Sequence, residues 1–242
     1  MTEQDNTVRL AKRVADMLPC SRREAELYIE GAFVRVDGEL VEEPGARVAP
    51  EQTVELAKEA TLLEIAPVTI LLNKPAGISA GIDKDGPPVF GLLSEATRTE
   101  AARGERFLKR HLANLSLESP LDTMASGLVV LTQDFRITRK LGEGLEQEII
   151  VEVEGSMADN GLALLNHGLP YNGKPLPPIK VSWQNEKRLR FALKSPKPGQ
   201  IQHMCKLVGL KVVAMKRIRI GRIAMSSLPV GEWRYLQGYE RF

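Results

Sequence analysis

Between Ser119 and Asp134 the chain crosses from a polar, turn-prone segment into a short apolar run rich in β-branched residues, Leu128 to Thr132, closed by Gln133-Asp134. The pattern is that of a strand. The polar segment carries a single carboxylate, Asp122, so an acid stands at the mouth of a strand. A rigid strand can hold such a group steady while the loop leaves it open to a substrate. An aspartate in isolation more commonly caps a turn, so Asp122 gains catalytic meaning only from the segments around it.

Composition frames the rest. The chain has 242 residues, 43% of them hydrophobic, and a formal charge of +2, as expected of an ordinary globular protein with room for one large domain and one small one. No segment is long or apolar enough to read as a membrane span, and the polar, acidic start Met1 to Asn6 is unlike a signal peptide. A cytoplasmic protein is expected. Cys20 and Cys205 are isolated, as are His111, His167 and His203, so neither a disulfide framework nor a metal site is expected.

The small net charge hides an asymmetry. Residues 1 to 60 hold about five more acidic than basic side chains, and residues 180 to 242 about eleven more basic than acidic. Neutralising phosphates releases counterions, so a basic block of this kind suits nucleic acid; the alternative is a solvated strand face. In Lys216-Arg217-Ile218-Arg219-Ile220 cations alternate with apolar residues as on one face of a sheet, which favours nucleic acid and makes Lys216, Arg217 and Arg219 candidate contacts.

Residues 8 to 56 read as a small separate module. Val8, Leu10, Ala11, Val14 and Leu18 form a helical stripe, Ser21-Arg22-Arg23-Glu24 is a capping box opening a second helix, and Gly31 stops it. Phe33 to Val36 and Glu39 to Val41 flank Asp37-Gly38, a hairpin signal. Arg9, Lys12 and Arg13 fall on one helical face, and Arg22 and Arg23 open the next helix, whose amino terminus favours phosphate.

Further on, Val68 to Leu72 reads as a buried strand and the following glycines and prolines as a loop. Ala101 to Leu112 reads as a helix with Arg103, Arg106, Lys109 and Arg110 on one side, either RNA-facing or solvated. Strands are expected at Ile179 to Trp183, Leu189 to Leu193, Val212 to Met215 and Arg217 to Ile220, and a helix from Ile201 to Val208 before Gly209. Trp183 and Trp233 read as core. The order of elements is that of an α+β domain with a mixed, largely antiparallel sheet and flanking helices, after a small N-terminal α/β module.

Four segments in order, Ile70 to Gly77, Ser119 to Asp134, Gly199 to Met204 and Leu228 to Arg234, resemble the Rsu/Rlu family of bacterial ribosomal RNA pseudouridine synthases. The resemblance covers nearly the whole chain. It implies an S-four-type RNA-binding module at 1–58, a linker at 59–66 and a pseudouridine-synthase-like catalytic domain at 67–242. It also implies isomerisation of a uridine in ribosomal RNA without a cofactor, Asp122 as the catalytic carboxylate, and Lys74 as structural support or phosphate contact. A monomer with RNA as its partner and no membrane is expected.

Against the family pattern, Pro120 stands where arginine is usual, Met124 where an acid is frequent, Ile149 where a tyrosine is expected and Gln202 where a basic residue would pair with the aspartate. Substitutes open to the chain are His203, Lys206 or Lys194 for the missing cation, and Tyr171 or Phe135 for the missing ring. Two classes therefore stay open: an RNA isomerase, and a non-catalytic descendant serving as an RNA-binding assembly or regulatory factor.

Overall fold

The computed structural model describes residues 6–83, 85–100 and 106–242. It divides into two compact units, one of residues up to 67 with 105–114, the other of 68–104 with 115–242. Among the described residues no helix is long and apolar enough to cross a membrane.

In the first unit, strand β1 (Val8–Arg9) leads into helix α1 (Leu10–Met17), whose Leu10, Ala11 and Val14 are buried as the stripe requires. Helix α2 (Arg22–Glu30) opens on the expected capping box: Ser21 N donates to Glu24 Oε2 at 2.7 Å and Glu24 N to Ser21 Oγ at 3.2 Å. Short strands follow, β2 (Val34–Val36), β3 (Glu39–Leu40), β4 (Arg47–Val48) and β5 (Val54–Leu56). Asp37 and Gly38 both take positive φ, 50° and 84°, the geometry that joins β2 to β3 in a tight hairpin. One core, from Leu10, Val14, Ala25, Ile29, Val34 and Val48, holds the helices to the strands.

Residues 106–114 pack within this unit. Arg106 donates to Ala32 O at 2.6 Å and lies over the Phe33 ring, while Lys109 and Arg110 approach Glu43 and Glu30. The helix expected at 101–112 is in its described part only a single 3₁₀ turn, Lys109–Leu112; Ala101 to Glu105, with Arg103, lie outside the described residues. Arg106, Lys109 and Arg110 thus have partners in their own unit.

The second unit is built on β6 (Thr69–Lys74), β7 (Ser116–Leu117), β8 (Ser126–Thr132), helix α3 (Phe135–Gly142), β9 (Glu146–Gly155), α4 (Gly161–His167), β10 (Pro170–Tyr171), β11 (Lys174–Pro175), β12 (Lys180–Asn185), β13 (Arg188–Lys194), α5 (Gln200–Leu207), β14 (Leu210–Ile220), β15 (Ile223–Ala224) and β16 (Trp233–Tyr235). Its described strands make a sheet of order β12-β13-β9-β14-β8-β6-β16, with β15 on β14 and β7 on β8. Every pairing is antiparallel except that of β14 with β8. Strand β6 is buried throughout, its polar Thr69, Asn73 and Lys74 included, and β8 is buried from Gly127 onward.

Three expectations are corrected. The strand after the linker runs on through Asn73 and Lys74 instead of ending at Leu72. The two strands expected at 212–215 and 217–220 are one, β14, with register shifts between Val212 and Ala214 and between Arg217 and Arg219 that let it bend without breaking. Trp233 is fully buried, but Trp183 is 37% exposed because it stands on β12, an edge strand of the sheet.

Candidate active site

The joint between β8 and β14 builds the site. Lys216 pairs with Ser126 and Arg217 with Gly127. Gly127 has φ of 108°, and a Cβ there would land on Arg217 O and lie 2.7 Å from Arg217 N. A glycine is required for the two backbones to approach this closely. The approach brings Arg217 beneath the loop that enters β8.

Arg217 is 1% exposed. Its guanidinium donates from Nε to Leu128 O at 2.7 Å, from Nη1 to Pro120 O and Gln147 Oε1 at 3.1 Å each, and from Nη2 to Ser119 O at 2.6 Å. Four bonds to fixed oxygens exploit the planar fork as a lysine could not. Burial pushes its pKa down to about 9, opposed by the charge of Asp122, so at neutral pH it remains a cation.

A second buried cation holds the other end of the same turn. Lys74, with no exposed surface, donates from Nζ to Thr123 O at 3.0 Å, Ile78 O at 2.7 Å and Pro75 O at 3.1 Å. Burial lowers its pKa to about 8, with Asp83 and Asp122 opposing the shift. Thr123 O also accepts from Gly77 N at 2.8 Å, and Leu121 N donates to Ala80 O at 2.9 Å. The Asp83 carboxylate takes both the Thr123 N and the Thr123 hydroxyl, bonds that hold it below the usual carboxylate range.

Asp122 sits in the middle of this clamp, partly exposed between buried Leu121 and Thr123. Among the described residues no donor bonds to its carboxylate, and Arg217 and Lys74 act on it through space. It lines a narrow cleft of about 430 Å³, counted to its open mouth, whose walls include Ile82, Ile149, Ile201, Met215 and Gln202, with Lys197 and Arg217 as its cations. Ile149 is 4% exposed and lies on β9 opposite Arg217, where the sheet register fixes it as part of the wall.

The other sequence candidates separate. Lys74 is wholly buried and supports the turn; it has no surface for phosphate. His203 bonds through Nε2 to Pro170 O at 3.1 Å and packs edge-on against Tyr171, whose hydroxyl donates to Pro198 O, so both are held at the β10 hairpin. Phe135 is 74% exposed on α3. None of His203, Lys206, Lys194, Tyr171 and Phe135 lines the cleft.

The open basic face expected from alternation is also corrected. Arg217 points into the protein, and Arg219 is bound by Glu146 at 2.7 Å and Glu148 at 2.8 Å from the adjoining strand. The β-bulge between the two arginines separates what alternation would place side by side. Lys216 remains partly exposed.

In the first unit, Arg9, Lys12 and Arg22 come together with Arg47 around a hollow that also holds Asp16. Arg13 and Arg23 are not part of its lining. Arg13 instead reaches Pro50 O at 3.4 Å, and Arg22 and Arg23 both approach Glu26. Sequence reasoning missed Arg47, Gln147 and Asp83. The signal available for Arg217 was Gly127, since a glycine inside a strand marks a close approach of another backbone.

Residues 8–54 match the S4 domain family. Over 96% of its length the chain is 29% identical to the dual-specificity RNA pseudouridine synthase RluF of Escherichia coli O157:H7, covering 76% of that protein. It is 28% identical to the ribosomal small subunit pseudouridine synthase A of Salmonella typhimurium, across 95% of this chain and 96% of that one. A crystal structure of pseudouridylate synthase superposes with a TM-score of 0.60 at 22% identity, covering 95% of this chain and 96% of that chain. The fold expected from the sequence is therefore the fold observed.

Proposed function

We propose that this chain is an RNA pseudouridine synthase of the Rsu/Rlu type with an S4 module, isomerising a uridine in ribosomal RNA with Asp122 as its catalytic carboxylate. Residues 1–58 bind RNA, 59–66 link, and the unit within 67–242 that carries the cleft performs the reaction, as a single chain in the cytoplasm. The relatives' names supply the substrate class. What carries the reading in the molecule is a carboxylate left unpaired at the mouth of a cleft, on a turn fixed at both ends by buried cations.

The chemistry asks for that arrangement. The N1–C1′ bond of uridine breaks, the uracil turns, and C5 bonds to C1′; C5 loses its proton and N1 ends protonated, so the product is an isomer. The target nucleotide has to leave its stack to reach the cleft. Asp122 either attacks C1′ or removes a proton from the sugar, and in both cases it acts as the anion. The guanidinium of Arg217 and the ammonium of Lys74 hold the turn that carries it.

The apolar wall of Ile149, Ile201 and Met215 receives the base without the stacking ring, a loss of about 1–3 kcal/mol per base. That no aromatic ring among the described residues lines the cleft is the specific observation favouring the second reading, a non-catalytic RNA-binding factor. Pseudouridine mapping of ribosomal RNA from cells with and without the protein separates the two. One site lost, and restored by wild type but not by Asp122→Asn, supports the enzyme; identical maps favour the binding factor.

A further inference from the structure

The reaction needs Asp122 charged and fixed, yet Gln202, at the place of the expected basic partner, brings no charge to the cleft. Gln202 makes no side-chain hydrogen bond with a described residue. Of the two cations that act on Asp122, Lys74 lies outside the cleft lining, and Arg217, from the central strand β14, is part of it.

We propose that Arg217 is the positioning residue of the reaction: its guanidinium fixes the Asp122 turn through Ser119, Pro120 and Leu128 and supplies from β14 the positive charge that Gln202 lacks. The proposal rests on the synthase reading for its consequence in rate, and on geometry alone for its consequence in the turn. Ser119 O and Pro120 O lie immediately before Leu121-Asp122, and Leu128 O lies inside β8, so one planar group ties the loop to the strand it enters. Gln147 on β9 takes the remaining Nη1 hydrogen and sets the rotation of the fork. The groups facing Arg217 are thus three carbonyls, the Gln147 amide, and the charges of Asp122 and Lys74. A lysine would keep the charge while reaching fewer of these oxygens.

Arg217 does not need to touch RNA for this role. Its loss should appear in the chemical step and spare binding, because a misplacement of about 1 Å can cost roughly 10²-fold in rate. Arg217→Lys is the first variant. Removing a buried cation can prevent folding, so Gln147→Leu, at a partly exposed position, is the second; it releases the fork's rotation and leaves the backbone bonds to form.

Two measurements on the full chain test the proposal. Single-turnover conversion at saturating ribosomal RNA fragment should fall about 10²-fold in Arg217→Lys and about 10-fold in Gln147→Leu, with RNA affinity within about twofold of wild type. Amide hydrogen exchange should quicken at Leu121, Thr123 and Ala125 in both variants while the amides of β6 keep their protection. Loss of RNA affinity at unchanged turnover would make Arg217 a binding residue and overturn the proposal. Unchanged exchange in the turn would overturn it whether or not the wild type is active. If the wild type forms no pseudouridine but the turn amides loosen as expected, the positioning role stands and the synthase reading falls.

Discussion

Lys74 shows how much a single buried charge can decide. Its ammonium is buried against three carbonyls, and burial holds its pKa at about 8, below the ordinary 10.5. The unfolded chain then binds more protons than the folded one between those values, so this residue makes stability rise with pH across that window. Below about pH 8 both states are protonated and the contribution is flat. In urea unfolding, the stability of wild type minus that of Lys74→Met should therefore climb between pH 8 and 10.5, with a slope no steeper than about 1.4 kcal/mol per pH unit. A difference that stays level or falls would show that the ammonium is not under this burden. The place of Asp122 at the mouth of β8 was legible in the sequence because it lies beside the strand that positions it. The guanidinium that faces it was not, since Arg217 is 89 to 98 residues from the carbonyls it holds.

Elements were read well where local chemistry specifies them. The Ser21–Glu24 capping box, the Asp37-Gly38 turn and the apolar run of β8 each contain their own instructions. Strand β14 does not. Its alternating cations look the same whether their side faces water or core, and only the parallel pairing with β8 buries Arg217. The bulge after Arg217 then sends Arg219 to the carboxylates of β9. Gly127→Ala tests this joint directly: a methyl group there meets the Arg217 backbone and the residue is forced to hold a left-handed φ. We expect a loss of more than about 3 kcal/mol, or failure to fold, since strain and overpacking combine. A stable Gly127→Ala protein in thermal unfolding would mean that the two strands lie further apart than described.

At the scale of the molecule, charge is distributed differently from its distribution along the chain. The sequence has its basic excess at the C-terminal end, but Arg217, Arg219, Arg188, Arg190 and Arg234 are occupied with protein oxygens. The acidic N-terminal unit nonetheless gathers Arg9, Lys12, Arg22 and Arg47 around one hollow within its S4 domain. Salt dependence of ribosomal RNA binding should follow the folded arrangement. Replacing Arg9, Lys12 and Arg22 by glutamine should lower the slope of log affinity against log salt by about one per lost phosphate contact, whereas Arg219→Gln should leave it unchanged. The reverse pattern would return RNA binding to the β14 face.

The same hollow and the same cleft would serve a non-catalytic binder, so binding alone cannot decide what the chain does. Chemistry at Asp122 can. Purified wild-type protein incubated with unmodified ribosomal RNA should produce pseudouridine at a defined uridine, and Asp122→Asn should bind that RNA with equal affinity and produce none. Product from Asp122→Asn at the wild-type rate, or none from either protein at any uridine, would contradict the assignment of this carboxylate to the isomerisation.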